Sequence, residues 1–289
     1  MGANPNAAVQ ASGGRSFANT GAGTTLYPLH QLAVRFEIDG SVVPAEDLNA
    51  AGATISVNGQ SLAFTLHAPS AGINNVALTA VSDDEFTALL PDGRQIEVVL
   101  DSEILDGPAD NDSKTLSYLR FGSWAVQNSA GAMTAGAPIF GGYETPAANM
   151  PTTGTATYAG DMEGNVSFLS GNTRVLGEVE GMAAISANFA TNSLTGSVTG
   201  TEIDADLPGG SYHSGAWNNF TVTATLSGNG FAGATAVSNA PGGPGTLNAG
   251  AAGTVSGTFF GPNANEIGAI WTLSDGATTA VGTIVGMKQ

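Results

Sequence analysis

The chain has 289 residues, with 24 acidic against 7 basic side chains, a net charge of −17, and no cysteine. A negative field of that size repels nucleic acid and anionic lipid headgroups, which excludes DNA and RNA as partners. The missing cysteines exclude disulfides, thiolate metal sites and a cysteine nucleophile. Charged residues make up only 11% and glycine reaches 41 residues, so the chain lacks the Lys, Glu and Arg that clothe helices. Short apolar alternations in a Gly-, Thr- and Asn-rich background predict an all-β protein, and the length is comfortable for two domains.

Residues 1–25 form a Gly/Ala/Asn/Ser tether, a composition that stays disordered and suits a protein held off a surface by its N-terminus. Met1-Gly2 then stands in place of a removed signal or lipid-anchor cysteine. No apolar stretch reaches the roughly 18 residues of a membrane helix, so the chain is not expected to span a membrane. Residues 26–135 read as a β-rich domain, punctuated by Asp39-Gly40, Asn58-Gly59 and Asp92-Gly93, pairs that supply the positive φ angles of hairpin turns. Around them Leu32, Val34, Phe36 and Ile38 share one strand face. Leu62, Phe64 and Leu66 share another, and so do Ile96, Val98 and Leu100. The one helix candidate is a turn or two at Pro44–Ala51. Residues 136–153 hold three prolines and read as a connector.

From 154 to 289 eight strand candidates follow, at 154–169, 175–189, 193–200, 219–227, 230–237, 253–260, 267–273 and 279–286. Short connections, with turn pairs at Asn229-Gly230 and Asp275-Gly276, make successive strands antiparallel neighbours. Eight strands is the number at which side chains just fill a barrel. An apolar residue stands two before a glycine at Tyr158–Gly160, Val179–Gly181, Leu194–Gly196, Phe231–Gly233 and Val255–Gly257. Glycine once per strand argues for close backbone approach and strong curvature, hence an up-and-down barrel. The non-apolar face of Phe220–Leu226 is threonine, and three Trp and five Tyr do not furnish two membrane girdles. The barrel is therefore expected to be soluble, with Phe220, Val222, Leu226, Phe259 and Trp271 inside.

The chemistry-bearing residues are few. The three histidines are His30, His67 and His213, and none accompanies a Gly-x-Ser-x-Gly elbow or a zinc-type spacing. No catalytic or metal-ligating set emerges, and the chain reads as a binding protein, not an enzyme. Asp204–Asn219 reads as the longest barrel connection, and loops on rigid scaffolds carry binding residues. There Tyr212, His213 and Trp217 suit a clasp for a flat aromatic ligand such as haem, with His213 as axial iron ligand. The alternative is that Trp217 plugs the barrel mouth and His213 is solvated. His67, on an exposed strand face, and Tyr118 mark a second location for such a site. Asp83-Asp84-Glu85 and Asp110-Asn111-Asp112 lack calcium-loop spacing and read as solvated turns. Glu178 and Glu180 share a strand face without a second carboxylate pair, so a glycosidase is not indicated.

Several stretches resemble a known family. Phe140-Gly-Gly-Tyr-Glu-Thr-Pro146, Met150–Gly160, Ala187–Gly196, Phe220–Ala236 and Val281–Gly286 are similar to the barrel of transferrin-binding protein B and related surface lipoproteins, including factor H-binding protein and the haem-carrying hemophilins. The most specific match is Val255-Ser-Gly-Thr-Phe-Phe-Gly-Pro-Asn-Ala-Asn-Glu-Ile-Gly268. More loosely, Tyr118–Trp124 resembles the last strand of that family's handle domain. The resemblance implies a handle followed by a barrel in one lobe, and export to the cell surface by lipid anchor or secretion. It also implies an outer-membrane receptor or translocon as partner, and capture of a host protein, haem or another iron source. Transferrin itself is not expected, because the handle's transferrin-contacting loops have no counterpart. A surface adhesion or host-factor-binding module using the barrel as scaffold is the competing expectation.

Overall fold

The computed structural model describes residues 24–31, 34–37, 42–44, 54–58, 61–82, 84–105 and 113–289. Residues 1–23, the Asp39-Gly40 turn, Gly59, the candidate helix beyond Pro44, Asp83 and the Asp110-Asn111-Asp112 group lie outside the described residues. The described chain is all-β, relieved only by short 3-10 turns at Pro69–Ala71 and Ala147–Asn149.

The N-terminal strands are β1 (Thr24–Gln31), β2 (Val34–Glu37), β3 (Val42–Pro44), β4 (Thr54–Asn58), β5 (Ser61–Ala68), β6 (Ile73–Ala80), β7 (Glu85–Leu89), β8 (Gln95–Asp101), β9 (Glu103–Leu105), β10 (Ser113–Thr115), β11 (Leu119–Gln127) and β12 (Met133–Gly142). Strands β9 and β10 pair with each other, and the other ten form one curved sheet in the order β1-β4-β5-β6-β7-β8-β11-β12-β2-β3. The sheet rolls far enough that β1 also pairs with β12, Leu29 opposite Gly141. The predicted face of Ile96, Val98 and Leu100 is buried on its concave side with Phe86, Trp124 and Ile139. The Asp92-Gly93 turn forms as expected, with Gly93 at φ +84° and its N–H donating to the Leu90 carbonyl.

The barrel follows as β13 (Thr155–Ser170), β14 (Thr173–Asn188), β15 (Ser193–Leu207), β16 (Ser211–Ala216), β17 (Phe220–Ser227), β18 (Gly230–Val237), β19 (Ala252–Phe260), β20 (Glu266–Ser274) and β21 (Thr279–Lys288). Its sheet order is β14-β13-β21-β20-β19-β18-β17-β15, and β14 pairs with β15 to close eight antiparallel strands. Phe220, Val222, Leu226, Phe259 and Trp271 all face the interior, as the alternation requires, while Thr221, Thr223 and Thr225 lie outside. The recurrent glycines serve packing. A Cβ on Gly196 would meet the Ile185 side chain at 2.3 Å, and one on Gly257 would meet the Phe231 ring at 2.4 Å. Carboxylates and hydroxyls outside with rings inside is the reverse of a lipid-facing barrel.

Three expectations are corrected. Residues 136–142 of the predicted connector belong to β12, and residues 143–154 make the actual link. The segment from Asp204 is not a loop, because β15 continues to Leu207 and returns as β16, Ala205 opposite His213. The long barrel connection is 238–251 instead, between β18 and β19. The β17–β18 turn sits one residue earlier than the Asn229-Gly230 pair suggests: Ser227 pairs with Gly230, and Gly228 takes the positive φ of +63°.

Candidate binding surface

Two surfaces stand out, the joint between the N-terminal sheet and the barrel and an acidic cleft beside it. At the joint, strands are buried on both faces. In β11, Trp124 and Val126 point into the N-terminal core, whereas Leu119 and Phe121 point at the barrel. In β20 and β21, Trp271 and Ile284 face the barrel interior, whereas Ile270, Val281 and Val285 face outward against Leu119, Phe121 and Phe140. The stretch Phe260–Gly268 supplies the lock. Phe260 sits edge-on to Phe140 at 6.0 Å between ring centroids. Glu266, 2% exposed, accepts hydrogen bonds from the Ser117 and Tyr118 amides at 2.7 and 3.0 Å. Gly268 leaves room for the Phe140 ring, which a Cβ would meet at 2.7 Å. Burial pushes the Glu266 pKa up to about 7, against the opposing pull of those amides and of Arg120.

The cleft, of about 370 Å³, opens between β8, β11 and β12 on one side and β13, β14, β15 and β21 on the other. Its lining carries five carboxylates, Asp101, Glu163, Glu178, Glu180 and Asp204, and no basic side chain. Four of them lie in two cross-strand rows on the barrel's outer face. One row runs Thr283–Glu163–Glu180–Glu202–Ala216 across five strands, and the next runs Asn165–Glu178–Asp204–Ser214. Like charges directly opposite each other destabilise a sheet, so this arrangement costs the fold something. Loss of solvent around Glu163 within the cleft, and then the charges of Asp101, Asp161, Glu180 and Glu178, push its pKa up to about 7. Asp204 runs the other way, because the hydroxyls of Tyr212 and then Ser214 beside it lower its pKa. One Asp204 carboxylate oxygen, Oδ1, is nonetheless buried without a hydrogen-bond partner.

The residues singled out from sequence are dispersed. Tyr212, 65% exposed, and the half-buried His213 are consecutive on β16, so they project from opposite faces. Trp217 is buried, its ring 5.9 Å from Trp271 and its indole N–H donating to the Gly245 carbonyl at 2.9 Å. These three do not line one pocket. His67 lies on β5 and Tyr118 is half buried at the joint, the two on separate elements. Asp84 accepts a hydrogen bond from the Ser82 hydroxyl in a turn. No metal-type cluster of acids and histidines occurs among the described residues. Glu178 and Glu180, read as lacking a second carboxylate pair, face one: Asp204 and Glu202 stand directly opposite. The signal was the repeated spacing Glu178-Val-Glu180 and Glu202-Ile-Asp204. What sequence did not reveal is the β-bulge between Glu180 and Met182, which shifts the register by one and brings the pairs together.

Residues 150–288 match the family described as the C-lobe and N-lobe beta barrels of Tf-binding protein B. No curated protein matches the chain by sequence. Among solved structures, a double mutant of the transferrin-binding protein B vaccine antigen from Haemophilus parasuis is similar at TM-score 0.54 and 17% identity, over 92% of this chain and 45% of that one. Intact Ap-TbpB, with its N and C lobes, is similar at TM-score 0.51 and 17% identity, over 92% of this chain and 46% of that one. The chain thus spans less than half the length of these proteins, and the likeness extends beyond the barrel to most of the described fold. The barrel is thus similar to the lobe barrels of Tf-binding protein B, and the solved structures share the fold of both sheets.

Proposed function

We propose that the protein is presented at a bacterial cell surface, or released from it, and captures a protein partner on the outer faces of its lobe. The observation that carries this is the packed barrel. Trp217, Phe220 and Trp271 fill one end, and Tyr158, Phe189, Phe231 and Phe259 fill the other. The internal cavity at Leu194, Phe231 and Ile267 holds only about 10 Å³. That is no more than one water and far below the several hundred Å³ of a small-molecule pocket. Binding therefore falls to exterior surface, as in a protein-recognition module, and the family's name supports an iron-bearing host protein as the class of ligand. In this reading the segment ahead of β1 tethers the lobe, and an outer-membrane receptor takes over the captured iron source.

Haem itself is the second reading, favoured by one observation: His213 is reachable on β16 beside Tyr212. Two measurements separate the readings. Biolayer interferometry of the immobilised chain against purified iron-carrying host proteins, transferrin included, should give saturable binding to at least one. Haem titration should leave the Soret band at its free-haem position. A shifted Soret band that His213→Ala abolishes would decide for haem instead. Silence in both assays would favour an adhesion module that uses the barrel as scaffold.

A further inference from the structure

A closed barrel has no free edges, yet this one carries an appendage that does. Strand β15 bends at Gly200 (φ +64°). Before the bend it pairs with β17, and after it with β16. On its far side β16 pairs with nothing among the described residues, so its six residues, Ser211–Ala216, present a row of unpaired backbone groups roughly 20 Å long. Proteins usually blunt such an edge with lysine, proline or a bulge. Here the sequence is Ser-Tyr-His-Ser-Gly-Ala, paired to β15 without a register shift. The side chains at 214–216 are small, and beyond them, one strand inward, stand Asp204 and Glu202.

We infer that β16 is a strand-addition edge for an extended, lysine- or arginine-bearing segment of a protein partner. The inference deepens the reading of the chain as a protein-capture module and rests on it. A strand added to β16 would lie about 5 Å from it and about 10 Å from β15. A residue of that strand opposite Ser214 would face Asp204 across one short side chain, and a residue opposite Ala216 would face Glu202. Long cationic stems can cross Ser214 and Ala216 to reach those carboxylates. There they would relieve the like-charge rows of the outer face. The backbone edge sets the partner's conformation, and the acidic rows set its sign. A second copy of this chain, with net charge −17, brings the wrong sign.

The test uses the full chain and a fluorescent eight-residue peptide, Lys-Val-Lys-Thr-Lys-Val-Lys-Thr, read by fluorescence anisotropy. Saturable binding is expected, weakened tenfold or more by Glu202→Gln with Asp204→Asn, and lost when glutamate replaces every lysine. N-methylating alternate backbone amides gives two further probes with unchanged charge; one pattern should abolish binding and the other should not. No saturable binding overturns the proposal, and so does equal binding of both N-methylated probes, which would mean charge attraction without strand pairing. The host-protein assay keeps the two readings apart. If wild type and the double variant capture a host protein equally, this edge is not the docking place and the capture function stands. If no host protein binds while the peptide results hold, the edge stands and the capture reading fails.

Discussion

At the residue scale, two side chains carry disproportionate weight. Phe259 is fully buried, with the rings of Tyr158, Phe189 and Phe231 at 5.6–5.9 Å between centroids. Phe259→Ala opens a cavity that three other rings cannot collapse into, and it should cost about 3–5 kcal/mol by chemical denaturation. A loss under about 1 kcal/mol would contradict the packing. Glu266 acts at the joint. Its pKa is raised to about 7 in the fold from an ordinary 4.5, so between those values the native state binds more protons than the unfolded one. Its contribution to stability therefore falls as pH rises from about 4.5 to about 7. Thermal melts should show that slope, and Glu266→Gln, which cannot ionise, should reduce it to the share that Glu163, raised to about 7 as well, contributes. Glu266→Ala should instead destabilise at every pH, because the Ser117 and Tyr118 amides lose their acceptor.

At the scale of elements, the 238–251 connection lies over the barrel end that Trp217 fills, and Asn218 latches it. The Asn218 amide donates to the Asn239 and Leu247 carbonyls at 2.9 and 3.0 Å, and its Oδ1 accepts from the Leu247 amide at 2.6 Å. Asn218→Ala leaves those buried backbone groups without partners, at a cost of about 1–3 kcal/mol. Limited proteolysis should then cut within 238–251 well before wild type is cut there. Equal cutting would mean that Trp217, held by the Gly245 carbonyl, secures the connection alone. The same element explains why Tyr212, His213 and Trp217 looked like one site. They are neighbours in a glycine-rich stretch that resembles a loop. Once the stretch is a strand, consecutive residues part to opposite faces, and Trp217, past its end, turns into the core.

At the scale of the whole molecule, the two sheets are joined by strands that abandon alternation. In Ile267-Gly-Ala-Ile-Trp-Thr-Leu273 and Val281-Gly-Thr-Ile-Val285 nearly every residue is buried, because one face fills the barrel and the other meets the N-terminal sheet. Such a run is ambiguous by periodicity alone. Alternating strands, the glycine before each crowded contact and the polar outer face were all legible in the sequence, since each follows from local periodicity and side-chain volume. They determined an all-β chain, eight barrel strands and the interior positions of Phe220, Phe259 and Trp271. The tertiary structure alone decided the rest. Which faces meet across the joint, and the pairing of Glu178 and Glu180 with Asp204 and Glu202, depend on register. For the carboxylates a single bulge between β14 and β15 sets that register, and one extra residue in a ladder of period two reverses which side chains face each other.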